Sequence, residues 1–495
     1  MISKKSMRCS TWFKDILLLT LMTSFFFGIF LGSRNLSAPD ELRYAEIPRE
    51  MIVDNDYLIP KINGVKYFEK PPLFYWMQVA AIKTFGLNEW ALRFTTALMG
   101  LIGVLATYLF SRYIYSRKTA WASALILASM ALYFSMAHVI TLDMTVSVFI
   151  TISLYLFFCA IKKDRPIFLV LGFIPVAAAI MTKGLIGLIF PGMIMGLWLS
   201  VFKRWKKIAW LYFFSGLLIC LLLVAPWHIL VQLRAPEFFH FYFMEQQFLR
   251  YATPIANRSQ PWYFYGIVIL LGSFPWVFSL PKTLKYTFST FRWKNRWQHE
   301  NEVFLMIWIL SVVLFFSASH SKLIPYILSA LPPLAILIGG YWATHKKRWI
   351  KPCVNVYLLT NVVLIIALLN IQYFDNHTIK SLIFKAKPFI TTNDDVVAYH
   401  GYHQDLPYYL ARIITVNEAF DELSFGAKNG NTQAWMIDEE KFKRRWFSAK
   451  TVYVFISKKK YRAFQEQYHE LTGSIVAEEG NNLVVVNHPT NEGHT

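Results

Sequence analysis

Charge is what this sequence has least of: Asp, Glu, Lys and Arg make up 16% of it, where soluble domains carry about 25%. A chain so short of charge and 55% apolar cannot cover a water-facing surface, which excludes an ordinary soluble protein. Acid is the scarcer sign, with 30 Asp and Glu against 50 Lys and Arg and a formal net charge of +20. The bases form no stripe of the kind that tracks a nucleic-acid backbone. They gather between apolar runs, at Lys4/Lys5/Arg8/Lys14, Arg112/Arg117/Lys118, Lys162/Lys163/Arg165, Lys203/Arg204/Lys206/Lys207, Lys282/Lys285/Arg292/Lys294/Arg296 and Lys346/Lys347/Arg348/Lys351. Falling on every second loop, they read as markers of the cytoplasmic side and exclude a nucleic-acid partner.

Cysteine is also scarce. Cys9, Cys159, Cys220 and Cys353 contain no C-x-x-C pair, so neither a zinc knuckle nor a disulfide framework is indicated. The cytoplasmic side lacks a Gly-rich phosphate loop, which argues against a nucleotide cofactor. No internal repeat is visible. No small-x-small cleavage site follows the first apolar run, so that run is read as a retained helix and not as a signal peptide.

What is abundant is apolar sequence, in runs of roughly 17 to 25 residues, the length that crosses a hydrocarbon core about 30 Å thick. Spans are expected near 15–33, 91–111, 119–137, 145–161, 166–182, 185–202, 209–226, 263–280, 303–318, 324–343 and 354–372. That is eleven, or thirteen with one further or re-entrant pair. An odd number with a basic, cytoplasmic start places the C-terminus outside. The fold class is therefore a polytopic α-helical membrane protein over 1–372, followed by a small periplasmic α/β domain over 373–495. The segments "DVVAYHGY", "ARIITVN", "QAWMID", "TVYVFIS" and "NLVVVNH" read as strands of that domain, with "KKKYRAFQEQYHEL" as a helix.

The first outer loop, 34–88, carries two interfacial helices, Glu41–Val53 behind a Pro39-Asp40 cap and one beginning at Pro71-Pro72. A second long outer loop runs from Trp227 to Trp262. Transporters tend to bury ionisable groups near the midplane. Here the dense polar residues lie in the outer loops, which favours chemistry at that interface. Lys183, between two spans on a side otherwise poor in bases, is either an anion ligand or a snorkelling lysine. In the C-terminal domain His400, His403 and Asp405 form an H-x-x-H-x-D run that reads as a surface turn and not as a metal site.

Two runs are specific. "DELRYAEIPREM" (Asp40–Met51) and "YFEKPPLFYW" (Tyr67–Trp76) are followed by "AHVITLDM" (Ala137–Met144), "MTKG" (Met181–Gly184), "APWH", "QPWYFY", "FPW" and "FFSASHSKLIPYILSALPPLA". In this order they resemble the bacterial lipid A aminoarabinose transferases, relatives of protein O-mannosyltransferases within the GT-C superfamily, over roughly the first 345 residues. The resemblance implies an inverting transferase of the inner membrane that moves an amino sugar, 4-amino-4-deoxy-L-arabinose or another, from an undecaprenyl-phosphate donor to lipid A or another envelope acceptor. A protein O-mannosyltransferase-like activity and a lipid-linked sugar flippase are the alternatives.

Breaking the anomeric bond leaves charge on the carrier phosphate, which cations must stabilise. Lys70, Arg250 and Lys322 are the outer-side cations suited to that role, with Tyr326 as a donor; the alternative for each cation is pairing with lipid headgroups. A carboxylate can orient the acceptor or take its proton; Asp40 is the first candidate and Asp143 the second. Glu41 and Arg43 either act directly, Arg43 on the acceptor, or form a salt-bridged helix. Glu69 resembles a metal ligand of the family, which leaves a divalent metal open as a cofactor. The histidine paired with it in that family is not evident, the nearest candidates being His240, Glu245, Gln246 and Gln247. The chain also departs from the family in having fewer spans and in Ile324, where proline is usual.

Overall fold

Apolar periodicity with few helix breakers yields long helices, and in the computed structural model all eleven expected spans coincide with helical segments. Residues 3–250, 259–289, 291–345, 348–371, 377–418, 420–467 and 473–488 are described. Lys346, Lys347 and the end of the helix expected after Lys458 lie outside them.

The chain divides into two compact units. The first comprises Met1–Ser33, Glu69–Met77 and Thr84–Asn370, and the second Arg34–Phe68, Gln78–Lys83 and Ile371–Thr495. The domain boundary expected at 372 falls on 372–376, outside the described residues. The expectation that the whole first outer loop belongs to the membrane domain is corrected, because most of it folds within the second unit.

The helices in chain order are α1 (Ser3–Gly28), α2 (Asp40–Val53), α3 (Leu73–Phe85), α4 (Glu89–Ile114), α5 (Arg117–Ala128), α6 (Ala131–Ala137), α7 (Leu142–Lys162), α8 (Ile167–Lys183), α9 (Ile186–Val201) and α10 (Trp210–Arg234). A π-helix, His240–Leu249, precedes α11 (Phe264–Gly272), α12 (Leu280–Ser289), α13 (Glu300–Ala318), α14 (Leu331–His345) and α15 (Ile350–Asn370). Six stretches among the described residues are long and apolar enough to cross a membrane.

Two expected spans are not straight. The α5–α6 pair bends by 65°, and α11 meets the helix that follows it at 100°. The breaks satisfy one another: Ala131 N–H donates to the Phe274 carbonyl at 3.0 Å and the Trp276 indole donates to Ser129 Oγ at 3.0 Å. Backbone groups freed inside an apolar solvent need such partners. Small residues allow close packing, as where a Cβ on Gly339 would lie 2.5 Å from Ser123 Oγ. Buried Glu300 joins the end of α7 to the loop after α9, binding Lys162 and, at 2.8 Å, Arg204.

In the second unit, strands β3 (Asp395–Tyr399), β4 (Thr415–Asn417), β5 (Met436–Ile437), β6 (Val452–Ser457), β7 (Ser474–Glu479) and β8 (Asn482–Val486) form one sheet in the order β5-β4-β3-β6-β8-β7. β3, β4, β5 and β6 run parallel, and β8 pairs antiparallel with β6 and β7. All five expected strands are present; β7, with weaker alternation, was not expected. A hairpin of β1 (Lys61–Ile62) and β2 (Val65–Lys66) turns at Asn63-Gly64. There the Asn63 amide extends the sheet, donating to the Ile414 carbonyl at 3.0 Å and accepting from its N–H at 2.9 Å.

Candidate active site

In the first unit, the Glu69-Lys70-Pro71-Pro72 segment, the α8–α9 junction, the π-helix and the turn after α13 converge on a cleft of about 470 Å³. Its polar lining is Lys70, Lys183, Gln246, Gln247, Arg250, Ser319, Ser321 and Tyr326. Its wall is Leu185, Ile186, Ile189, Phe248, Phe315 and Phe316. Cations and hydroxyls lining one cleft with apolar side chains suit an anionic head on an apolar tail.

Lys70 stands just ahead of the two prolines that precede α3, in a bent segment that proline keeps out of the helix. Its ammonium reaches the Glu69 carbonyl at 3.0 Å. Burial first, then the nearby Arg250 and Lys183, lower its pKa to about 7 against the partial relief of Glu69 and Asp143. Arg250 is oriented by Glu69 at 3.0 Å and Gln246 at 2.8 Å. Asp143, in the first turn of α7, pairs with Lys183, whose ammonium lies 4.5 Å from the centre of the Tyr326 ring. The structure thus brings Lys70, Arg250, Lys183 and Tyr326 to one cleft, while Asp143 joins the same cluster through Lys183 and lines a small cavity that also borders Tyr326.

Gly184 makes this junction possible. Its φ of 89° lies where other residues are strained, and an added Cβ would stand 2.6 Å from the Gln247 amide and 2.8 Å from the Tyr242 hydroxyl. Chain reversal straight after Lys183 therefore requires glycine.

Lys322 is placed differently from the sequence expectation. Its ammonium donates to the carbonyls of Ser319 at 2.7 Å and Gln260 at 3.0 Å, and it does not line the cleft. It fastens the turn that presents Ser321 and Tyr326. The cleft residues missed in the sequence are Ser319 and Ser321, while Gln246 and Gln247, named there only as candidate partners of Glu69, line the cleft; Ser321 Oγ is buried without a protein partner among the described residues.

The acidic run belongs to the second unit. Glu41 is buried and takes Arg34 through both oxygens, at 2.6 and 2.9 Å, and the Ser37 N–H at 3.1 Å. It therefore serves as a salt-bridged anchor. Asp40 is the first residue of α2 and not its cap; half exposed, it accepts from Arg43 at 2.8 Å. Arg43 also binds Glu422, and Arg49 grips Glu46 through two contacts of 2.6 Å. Burial beside Glu46 raises the pKa of Glu50 well above the usual carboxylate range.

The metal expectation at Glu69 is not matched by a donor set. Its carboxylate holds Arg250, His240 pairs with Glu245 at an exposed position 3.4 Å away, and no metal-competent cluster of His, Cys, Asp or Glu among the described residues includes Glu69.

Two family descriptions match the chain. Residues 69–230 fit the dolichyl-phosphate-mannose-protein mannosyltransferase family and 382–487 the aminoarabinose transferase C-terminal domain. The chain is 31% identical over 353 residues to an undecaprenyl phosphate-alpha-4-amino-4-deoxy-L-arabinose arabinosyl transferase of Proteus mirabilis, covering 69% of this chain and 62% of that protein. A Shewanella sediminis relative described likewise is 30% identical, with 64% and 58% covered. Among solved structures, ArnT from Cupriavidus metallidurans bound to undecaprenyl phosphate superposes with a TM-score of 0.85 at 25% identity, covering 97% of this chain and 99% of that one. The chain belongs to the aminoarabinose transferase family. As a member of that family it has the GT-C fold, shared at a TM-score of 0.54 and 14% identity with the Archaeoglobus fulgidus oligosaccharyltransferase, and it is a multi-pass inner-membrane protein. It spans about three-fifths of the length of the curated aminoarabinose transferases it matches.

Proposed function

We propose that this protein is an inverting glycosyltransferase that takes an amino sugar, 4-amino-4-deoxy-L-arabinose, from undecaprenyl phosphate and attaches it to lipid A at the periplasmic face. The observation that carries the reading is the cleft that Lys70, Arg250 and Tyr326 line together with apolar side chains. A phosphodiester seated there would have its isoprenoid tail along Ile186, Ile189 and Phe315. As the acceptor oxygen bonds to the anomeric carbon, the bond from that carbon to the phosphate oxygen breaks and the phosphate leaves with its electrons. The two cations and the tyrosine hydroxyl stabilise that developing charge. Asp143 holds Lys183 in place, and Lys183 in turn adds positive potential beside Tyr326 and offers a contact to an anionic acceptor. An acceptor that is itself a phosphate needs no proton removed. The basic clusters support the periplasmic assignment of the outer loops. No step needs a metal or a nucleotide.

Mass spectrometry of lipid A from cells with and without this protein tests the reading. A mass difference of one aminopentose is expected. Unmodified lipid A alongside a glycosylated envelope protein would replace the acceptor, and full activity of K70M in a lipid-flipping assay would replace the reaction class.

A further inference from the structure

The sequence run H-x-x-H-x-D names the wrong partners for His400. His403 is half-buried, its pKa lowered to about 4 by desolvation and by Lys460, and Asp405 is buried on Thr378 and the Ile379 N–H. The sheet register supplies other partners. Tyr399 pairs with Asn417, and Asn417 with Ile437, so the chain leaves β3, β4 and β5 at adjacent points. Backbone bonds continue the ladder by one residue, from His400 N–H to the Asn417 carbonyl and from Glu418 N–H to the Ile437 carbonyl, both 3.1 Å. His400, Glu418 and Glu439 are thereby placed together by three consecutive parallel strands.

We infer that these three side chains form a divalent-cation site of the zinc class in the C-terminal domain. His400 Nε2 lies 3.5 Å from Glu418 Oε2 and 3.2 Å from Glu439 Oε2, and all three donor atoms fall within 4.8 Å of one another. Ligands about 2.0–2.1 Å from a tetrahedral zinc are about 3.3 Å apart, which is the spacing of the two measured pairs. The outer contacts are those of a ligand set. Tyr399 donates to Glu439 Oε1 at 3.1 Å, leaving Oε2 for the cation, and its ring stacks on the imidazole at 4.1 Å between centroids. Two carboxylates this close require a countercharge, and among the described residues neither has a Lys or Arg ion pair. The nearby Lys460 ammonium is engaged by the His400 carbonyl at 2.6 Å. Three protein ligands leave a fourth position open to water or an anionic oxygen.

The test is Zn2+ and Co2+ titration of the full-length, chelator-stripped protein in detergent. Wild type is expected to bind one equivalent more than H400A and E439Q, with a tetrahedral Co2+ absorption band that both variants lose. Equal stoichiometry and spectra in folded variants would overturn the site. Should the variants fail to fold, wild type alone decides: Zn2+ is expected to slow diethylpyrocarbonate modification of His400 at least tenfold, and unchanged modification would overturn it.

Discussion

Lys70 gives the account its most quantitative consequence. Its pKa of about 7 in the folded protein lies below the ordinary lysine value of 10.5, so above neutral pH the empty cleft holds a largely uncharged amine. A phosphodiester restores the countercharge, so donor binding takes up a proton. Each pH unit above the folded value costs about 1.4 kcal/mol, a factor of about ten. Donor affinity is therefore expected to be flat below about pH 6.5 and to fall on the order of fiftyfold between about pH 7 and pH 9. The phosphodiester itself does not titrate there. The same shift disfavours the charged form in the folded state, so stability should rise with pH between about 7 and 10.5. The K70R variant, whose guanidinium stays protonated, should lose the pH dependence of binding while keeping measurable affinity. Calorimetry in two buffers of different ionisation enthalpy reads the proton uptake directly. A flat wild-type profile with no proton uptake, or a K70R profile of the same slope, would refute the reasoning.

Gly184→Ala should raise the donor KM at least tenfold by displacing Gln247 and Tyr242, about 1–3 kcal/mol of backbone strain adding to the collision; steady-state kinetics at unchanged expression check it. Glu300→Ala leaves Lys162 and Arg204 without their buried partner and should cost about 3–5 kcal/mol, read as a lower thermal midpoint with the donor site intact. Asn63→Ala leaves the Ile414 N–H and carbonyl unpaired and should cost about 1–3 kcal/mol, visible as faster amide exchange at Ile414.

Much of the fold was legible because hydrocarbon allows a short menu: runs such as Leu142–Lys162 can only be helices there. The bends were not legible, since Pro275 marks one break but the partner of Ala131 N–H, the Phe274 carbonyl, comes from far along the chain. Lys70, Arg250 and Tyr326 could be named from ordered motifs, because each sits beside a proline, an acidic residue or a patterned loop. Lys322 looked equivalent by charge, yet its reach to the carbonyls of Ser319 and Gln260 depends on a turn that the sequence does not specify. The neighbours of His400 were hidden for a related reason: spacing along one strand cannot reveal that Glu418 and Glu439 come from the next two. The folding of Arg34–Phe68 with the C-terminal sheet was not legible because its contacts, such as Asn63 with Ile414 across 351 residues and Arg43 with Glu422, join distant parts of the chain.

The cleft of the first unit is proposed to hold the carrier phosphate through Arg250 and Tyr326. Binding of undecaprenyl phosphate to nanodisc-embedded wild type and to an R250Q/Y326F double variant, measured by thermophoresis, meets that proposal head-on. Loss of at least a hundredfold in affinity with an unchanged melting temperature is predicted; equal affinity in a folded variant would contradict it.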